Sequence, residues 1–117
     1  FGKETAEHLY ENYGDLAPSV LKLIDNDATL RDKIHEGFPF LMAEVVFSVK
    51  YGMATKLRDF FARRIRMEIL DWRASMDSAD KVAAIFQKEL GWSNEERKTN
   101  LNEYIVLLEK KIATASI

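Results

Sequence analysis

The chain has 117 residues, 17 Lys and Arg against 19 Asp and Glu, a formal net charge of −2 and no cysteine. That length suffices to bury one core without cross-links, and the missing cysteines exclude disulfides, thiolate catalysis and thiolate metal sites. The near-neutral balance argues against a generally basic nucleic-acid or membrane binder.

No run approaches the roughly 20 apolar residues of a membrane-spanning helix, and the pattern of a signal peptide is missing. Residues 5–13 place Ala6, Leu9, Tyr10 and Tyr13 at helical spacing, with Glu4, Glu7 and Glu11 elsewhere. This predicts a short amphipathic helix. Gly14 ends it, Asp15 is positioned to cap a second helix with Leu16, Val20, Leu23 and Ile24 inward, and Pro18 falls in its first turn. Asp25-Asn26-Asp27 reads as a break, with a minor helical turn around Leu30 to Ile34.

Pro39 suits the first position of a central helix. Phe40, Ala43, Glu44, Phe47 and Tyr51 share one face of it, and Leu41, Met42, Val45 and Val46 cover much of the rest. A helix apolar around most of its circumference belongs in the middle of a bundle. Gly52 ends this run, and Thr55 is placed to cap a segment carrying Leu57, Phe60 and Phe61. A helix from about Arg64 to Ser75 follows, then one capped at Asp77 or Ser78 and closed by Gly91. Ser93 and Glu96 form a capping box ahead of Leu101, Tyr104, Ile105, Leu108 and Ile112. The expected fold is all-α, a compact bundle of six to seven short-to-medium helices forming a single domain over residues 1–117.

The charges concentrate attention on residues 37–66, which carry two acids and six bases. Glu44 stands alone in an apolar run, where a carboxylate is costly unless paired. It reads as a structural acid paired with Arg63 or Arg64; Asp59 and Arg66 complete the set of ion-pair candidates. No histidine, cysteine or second carboxylate shares its helix, so no catalytic residue is assigned. His8 and His35, the two histidines, show no metal-ligand spacing and read as surface residues. No glycine-rich phosphate loop, His-Glu zinc pattern or nucleophile elbow is present, so no cofactor or metal site is assigned. Trp72 and Trp92 read as packing against the core. A nucleic-acid helix would need a wider basic surface than Arg63, Arg64 and Arg66 supply.

Tyr13-Gly14, Phe38-Pro39-Phe40, Ala43-Glu44-Val45, Asp59, Arg63-Arg64 with Arg66, Leu70-Asp71 and Glu89-Leu90-Gly91-Trp92 stand in an order that resembles one family. It is the C-terminal all-helical domain of FAD-dependent glycerol-3-phosphate dehydrogenases and α-glycerophosphate oxidases. The chain departs from that pattern at Tyr51-Gly52 and at Ile65. The resemblance implies a parent that oxidises sn-glycerol 3-phosphate to dihydroxyacetone phosphate, with electrons passing through FAD to a quinone or oxygen. It also implies that flavin and substrate are held by N-terminal domains, the partners of this one, while residues 1–117 form a noncatalytic accessory cap. A sequence that starts at Phe1 fits a piece of a larger protein. The cytoplasm, with peripheral membrane contact through the parent, is the expected location, and the isolated piece is expected to self-associate through its interdomain face. The alternative is a stand-alone helical module that docks a partner protein.

Overall fold

The computed structural model describes residues 3–65 and 67–115, and the side chains of all of these except residues 63, 64, 69 and 112–115. Helix α1 (Lys3–Tyr13) buries Thr5, Leu9 and Tyr13 at four-residue intervals, with His8 beside them. It stops where Gly14 turns left-handed, at φ 51°, a conformation that glycine adopts without a Cβ penalty. A 3-10 turn, Gly14–Leu16, runs directly into α2 (Ala17–Asn26). Asp15 therefore lies inside that turn and is not the cap of α2, whereas Pro18 does fall in the first turn. Asp27 ends α2 and caps the next 3-10 turn, Ala28–Arg31, accepting the Thr29 amide at 3.0 Å and its hydroxyl at 2.6 Å. Those bonds, the hydroxyl's first, hold the Asp27 carboxyl below the usual range.

The central helix starts later than Pro39. The Ile34 amide donates to the Phe40 carbonyl at 2.9 Å, and the Met42 amide to the Asp32 carbonyl at 2.8 Å. These bonds pin an isolated antiparallel bridge, Lys33 to Leu41, so Pro39 sits in a loop and α3 runs from Met42 to Lys50. Six of its nine residues are buried, Ala43 to Ser48, which places α3 in the middle of the molecule.

After α3 the chain reverses tightly. The Tyr51 and Gly52 amides both reach the Phe47 carbonyl, and the Ala54 amide reaches the Ser48 carbonyl. Met53 takes a left-handed φ of 58° there, which costs a residue with a Cβ roughly 1–2 kcal/mol. Asp59 caps the next turn in place of Thr55, its Oδ2 accepting the Thr55 and Lys56 amides at 3.1 Å each. Asp59–Arg64 is wound as a π-helix, the Ile65 amide reaching back five residues to the Phe60 carbonyl.

A single turn, α4 (Met67–Leu70), precedes α5 (Trp72–Leu90). The break falls at Asp71, not at Asp77 or Ser78, because the Asp71 carboxylate accepts the Ala74 amide at 3.0 Å. Ser78 lies within α5, buried, and donates to the Ile34 carbonyl. Gly91, at φ 71°, closes α5, and the reciprocal Ser93–Glu96 box opens α6 (Asn94–Ala115).

Among the described residues there are thus five helices of nine residues or more, not six or seven, and no strand. The three helical segments expected between Thr55 and Gly91 became a π-helical turn, the single turn α4 and one 19-residue helix. The larger apolar cluster gathers Val45, Leu57, Phe60, Phe61, Val82 and Phe86, with Trp72 and Trp92 packed against it. The smaller joins Leu9, Tyr13, Ala17 and Val20 to Leu41, Ala43 and Phe47. Helix α3 contributes to both, so its position couples them.

Asp71→Ala removes the α5 cap and is expected to lower stability by about 1 kcal/mol in chemical denaturation. An unchanged midpoint would contradict a helix boundary at Asp71.

Candidate functional site: two buried carboxylates

Glu44 is fully buried near the head of α3. Its Oε2 reaches back to accept the Leu41 amide at 2.6 Å, half of a capping box that leucine, with no side-chain acceptor, cannot complete. Its Oε1 meets His8 Nε2 at 2.7 Å and accepts the Tyr13 hydroxyl at 2.9 Å. Both partners come from α1, 36 and 31 residues earlier in the chain. The Asn12 amide nitrogen donates to the His8 carbonyl and also lies 2.9 Å from His8 Nδ1. A carbonyl can only accept, so that bond fixes the Asn12 amide and makes Nδ1 the acceptor. The network thereby assigns His8 the Nε2–H tautomer, donating to Glu44. Phe40 closes the histidine in, its ring centroid 4.7 Å away.

Glu68 is a second buried carboxylate, on α4. Tyr104 of α6 donates to its Oε1 at 3.0 Å, and Lys111 Nζ donates to its Oε2 at 2.5 Å. Arg58 Nε lies 3.7 Å from the same oxygen. Burial first, and the Glu68 charge second, push the Tyr104 phenol above the usual tyrosine range. Phe61 stacks on the Tyr104 ring with centroids 5.1 Å apart.

Of the residues singled out from sequence, Glu44 is buried and Asp59 caps a turn. Arg66 and the side chains of Arg63 and Arg64 lie outside the described residues, so the described partners of Glu44 are His8, Tyr13 and the Leu41 amide. His8 is not a surface residue: it is 8% exposed. The members that sequence reasoning missed are His8, Tyr13 as a hydroxyl donor, and Tyr104 and Lys111 as the partners of Glu68. One signal was available for Tyr13, since a buried tyrosine hydroxyl usually needs a partner.

Both ring nitrogens of His8 are engaged, and no nucleophile is among the Glu44 contacts. The arrangement holds elements together; it does not present a free base. No group of three or more His, Asp or Glu that could hold a metal exists among the described residues. A flavin dinucleotide is characteristically held by a glycine-rich turn between a strand and a helix. The described residues form no strand and the sequence has no GxGxxG, so they do not build that turn.

Residues 1–97 match the family described as the C-terminal domain of alpha-glycerophosphate oxidase. The chain belongs to this family. It is 36% identical over 99 residues to the probable mitochondrial glycerol-3-phosphate dehydrogenase of Dictyostelium discoideum, covering 85% of this chain and 15% of that protein. It is 31% identical over 104 residues to the probable mitochondrial glycerol-3-phosphate dehydrogenase of Caenorhabditis elegans, covering 86% and 14%. Against glycerol-3-phosphate dehydrogenase 2 of Mycobacterium tuberculosis it is 29% identical over 105 residues, covering 90% and 18%. The chain therefore spans less than a fifth of each of these relatives. No solved structure matches the chain significantly.

The family match divides the two carboxylate clusters of this C-terminal domain. His8, Tyr13, Leu41 and Glu44 all lie inside it, whereas Tyr104 and Lys111, which hold Glu68, lie beyond residue 97. No helix among the described residues is long and apolar enough to cross a membrane.

Tyr104 gives this region an alkaline signature. The folded state holds the phenolic proton more tightly than the unfolded state, so this contribution is complete below about pH 10, the ordinary tyrosine value, and is lost as pH rises above it. The stability of the parent sequence is expected to fall above about pH 10 more steeply than that of Tyr104→Phe. Parallel pH profiles for the two would contradict the buried phenol–carboxylate contact.

Proposed function

We propose that this chain is the noncatalytic C-terminal domain of an FAD-dependent glycerol-3-phosphate dehydrogenase. The parent oxidises sn-glycerol 3-phosphate to dihydroxyacetone phosphate and passes the electrons to a quinone or to oxygen. FAD and substrate are held by N-terminal domains of the same polypeptide, which are the partners of this one, and residues 1–117 act as a single accessory cap without activity of their own. The observation that carries this reading is the family match over residues 1–97, supported by relatives that are themselves named glycerol-3-phosphate dehydrogenases. It favours this reading over a stand-alone interaction module.

The role that fits the geometry is mechanical. Glu44 and Glu68 each fasten a distant helix to the centre of the fold, through α1 and α6 respectively. A rigid helical cap can then present a fixed surface to the catalytic body. A cytoplasmic location, with any membrane contact made by the parent and not by this domain, belongs to the same proposal. So does self-association of the excised domain through the face it buries in the parent.

The test begins with the open reading frame that encodes the chain. It is expected to hold an upstream strand followed by GxGxxG, and the full-length protein should purify with FAD and oxidise sn-glycerol 3-phosphate. The 117-residue chain alone should retain no flavin. An upstream region lacking that fingerprint, or tight flavin binding by the 117 residues, would overturn the proposal.

A further inference from the structure

We infer that the cleft lined by Leu16 and Tyr51, with the turn after Tyr51 that carries Met53, is where this domain packs against the catalytic body of its own chain. This rests on the reading that the chain is one domain of a longer dehydrogenase, and it names the contact face that such a reading leaves open.

Three large apolar side chains are displayed here to water, Leu16 at 54%, Tyr51 at 66% and Met53 at 85% exposure. Leu16 and Tyr51 line one cleft of about 840 Å³ together with the apolar Leu23 and Phe47 and the polar Ser19, Lys22, Asp25 and Asn26. Tyr51 lies against Phe47 with ring centroids 5.2 Å apart, so the exposed patch continues into the smaller buried cluster. The charged residues in the cleft lining are one cation and one anion, Lys22 and Asp25. A mixed lining with balanced charge suits a protein surface better than a nucleic acid or a strongly charged peptide.

Met53 adds a second, independent indication. Its turn is fixed by the Tyr51 and Gly52 amides on the Phe47 carbonyl, by the Ala54 amide on the Ser48 carbonyl, and by burial of Ala54. Held this way, Met53 occupies a left-handed conformation at φ 58° and projects into solvent. A domain standing alone gains nothing from a strained turn that exposes a methionine. A domain whose turn is covered by an apolar neighbour gains a buried anchor, and backbone strain of this kind persists where the surrounding structure over-determines it, commonly at functional positions. The catalytic body is the occupant that matches the scale. The chain covers 15% of the Dictyostelium relative, so a protein of that length carries a body several times the size of this domain.

Photo-cross-linking of the full-length protein tests the assignment. The probe, p-benzoylphenylalanine, replaces Tyr51 or Met53 in separate variants, and Val106 of α6, 39% exposed, in a control. The two test positions are exposed enough for the substitution to leave the core untouched. Cross-linked peptides are mapped by mass spectrometry. Products joining position 51 and position 53 to segments N-terminal to Phe1 of the same chain are expected, with loss of those products at position 106. Products joining two copies would overturn the inference in favour of self-association. An absence of products at 51 and 53, or products from 106 alone, would overturn it in favour of another face. A reading frame with no upstream flavin fingerprint would instead defeat the parental reading, before any cross-link is measured.

Discussion

The fold turns on one buried carboxylate. Removing an ionised group from water costs several kcal/mol unless its lone pairs are all satisfied, and Glu44 sits at the head of a helix whose surroundings are apolar. Its donors come from two places: the amide of Leu41, at the mouth of α3, and the His8 and Tyr13 side chains of α1. The local donor fixes where α3 begins. The distant donors fix the rotation of α1, because only one face of that helix carries His8, Leu9 and Tyr13 together. Since α3 also contributes to both apolar clusters, a shift of α1 would be felt by the whole core.

Glu68 repeats the device with different chemistry. A tyrosine hydroxyl again donates, but the nitrogen partners are the cations Lys111 and Arg58 rather than an imidazole. The result ties the long α6 to the single turn α4, which is too short to hold a position by its own hydrogen bonds. Both carboxylates keep helices in register.

The local features of this fold were legible because local residues decide them. Gly14 and Gly91 end helices in the left-handed conformation, and Ser93 with Glu96 forms the expected box. Pro39 misled because the bridge between Lys33 and Leu41 claims the loop around it, a pairing no short window reveals. Ser78 resembled a cap, yet its hydroxyl is used by Ile34, 44 residues away, while Asp71 does the capping. The need of Glu44 for a partner was readable from its apolar neighbours. That α1 would supply donors to it was not, since α1 is brought to α3 by packing and His8 looks like any polar residue on an amphipathic helix. Glu68 was readable as an acid beside a basic run, but Tyr104 and Lys111 reach it from 36 and 43 residues away, which no local pattern shows.

The most direct measure of this account is a double-mutant cycle on Glu44→Ala and His8→Ala, read by chemical denaturation. If the two side chains form one buried unit, Glu44→Ala should itself cost about 3–5 kcal/mol. The pair should then be strongly non-additive, with a coupling well above about 0.5 kcal/mol, because His8 has little left to lose once Glu44 is gone. Losses that simply add would show that Glu44 is satisfied without His8, and the buried His8–Glu44 unit described for this fold would be contradicted.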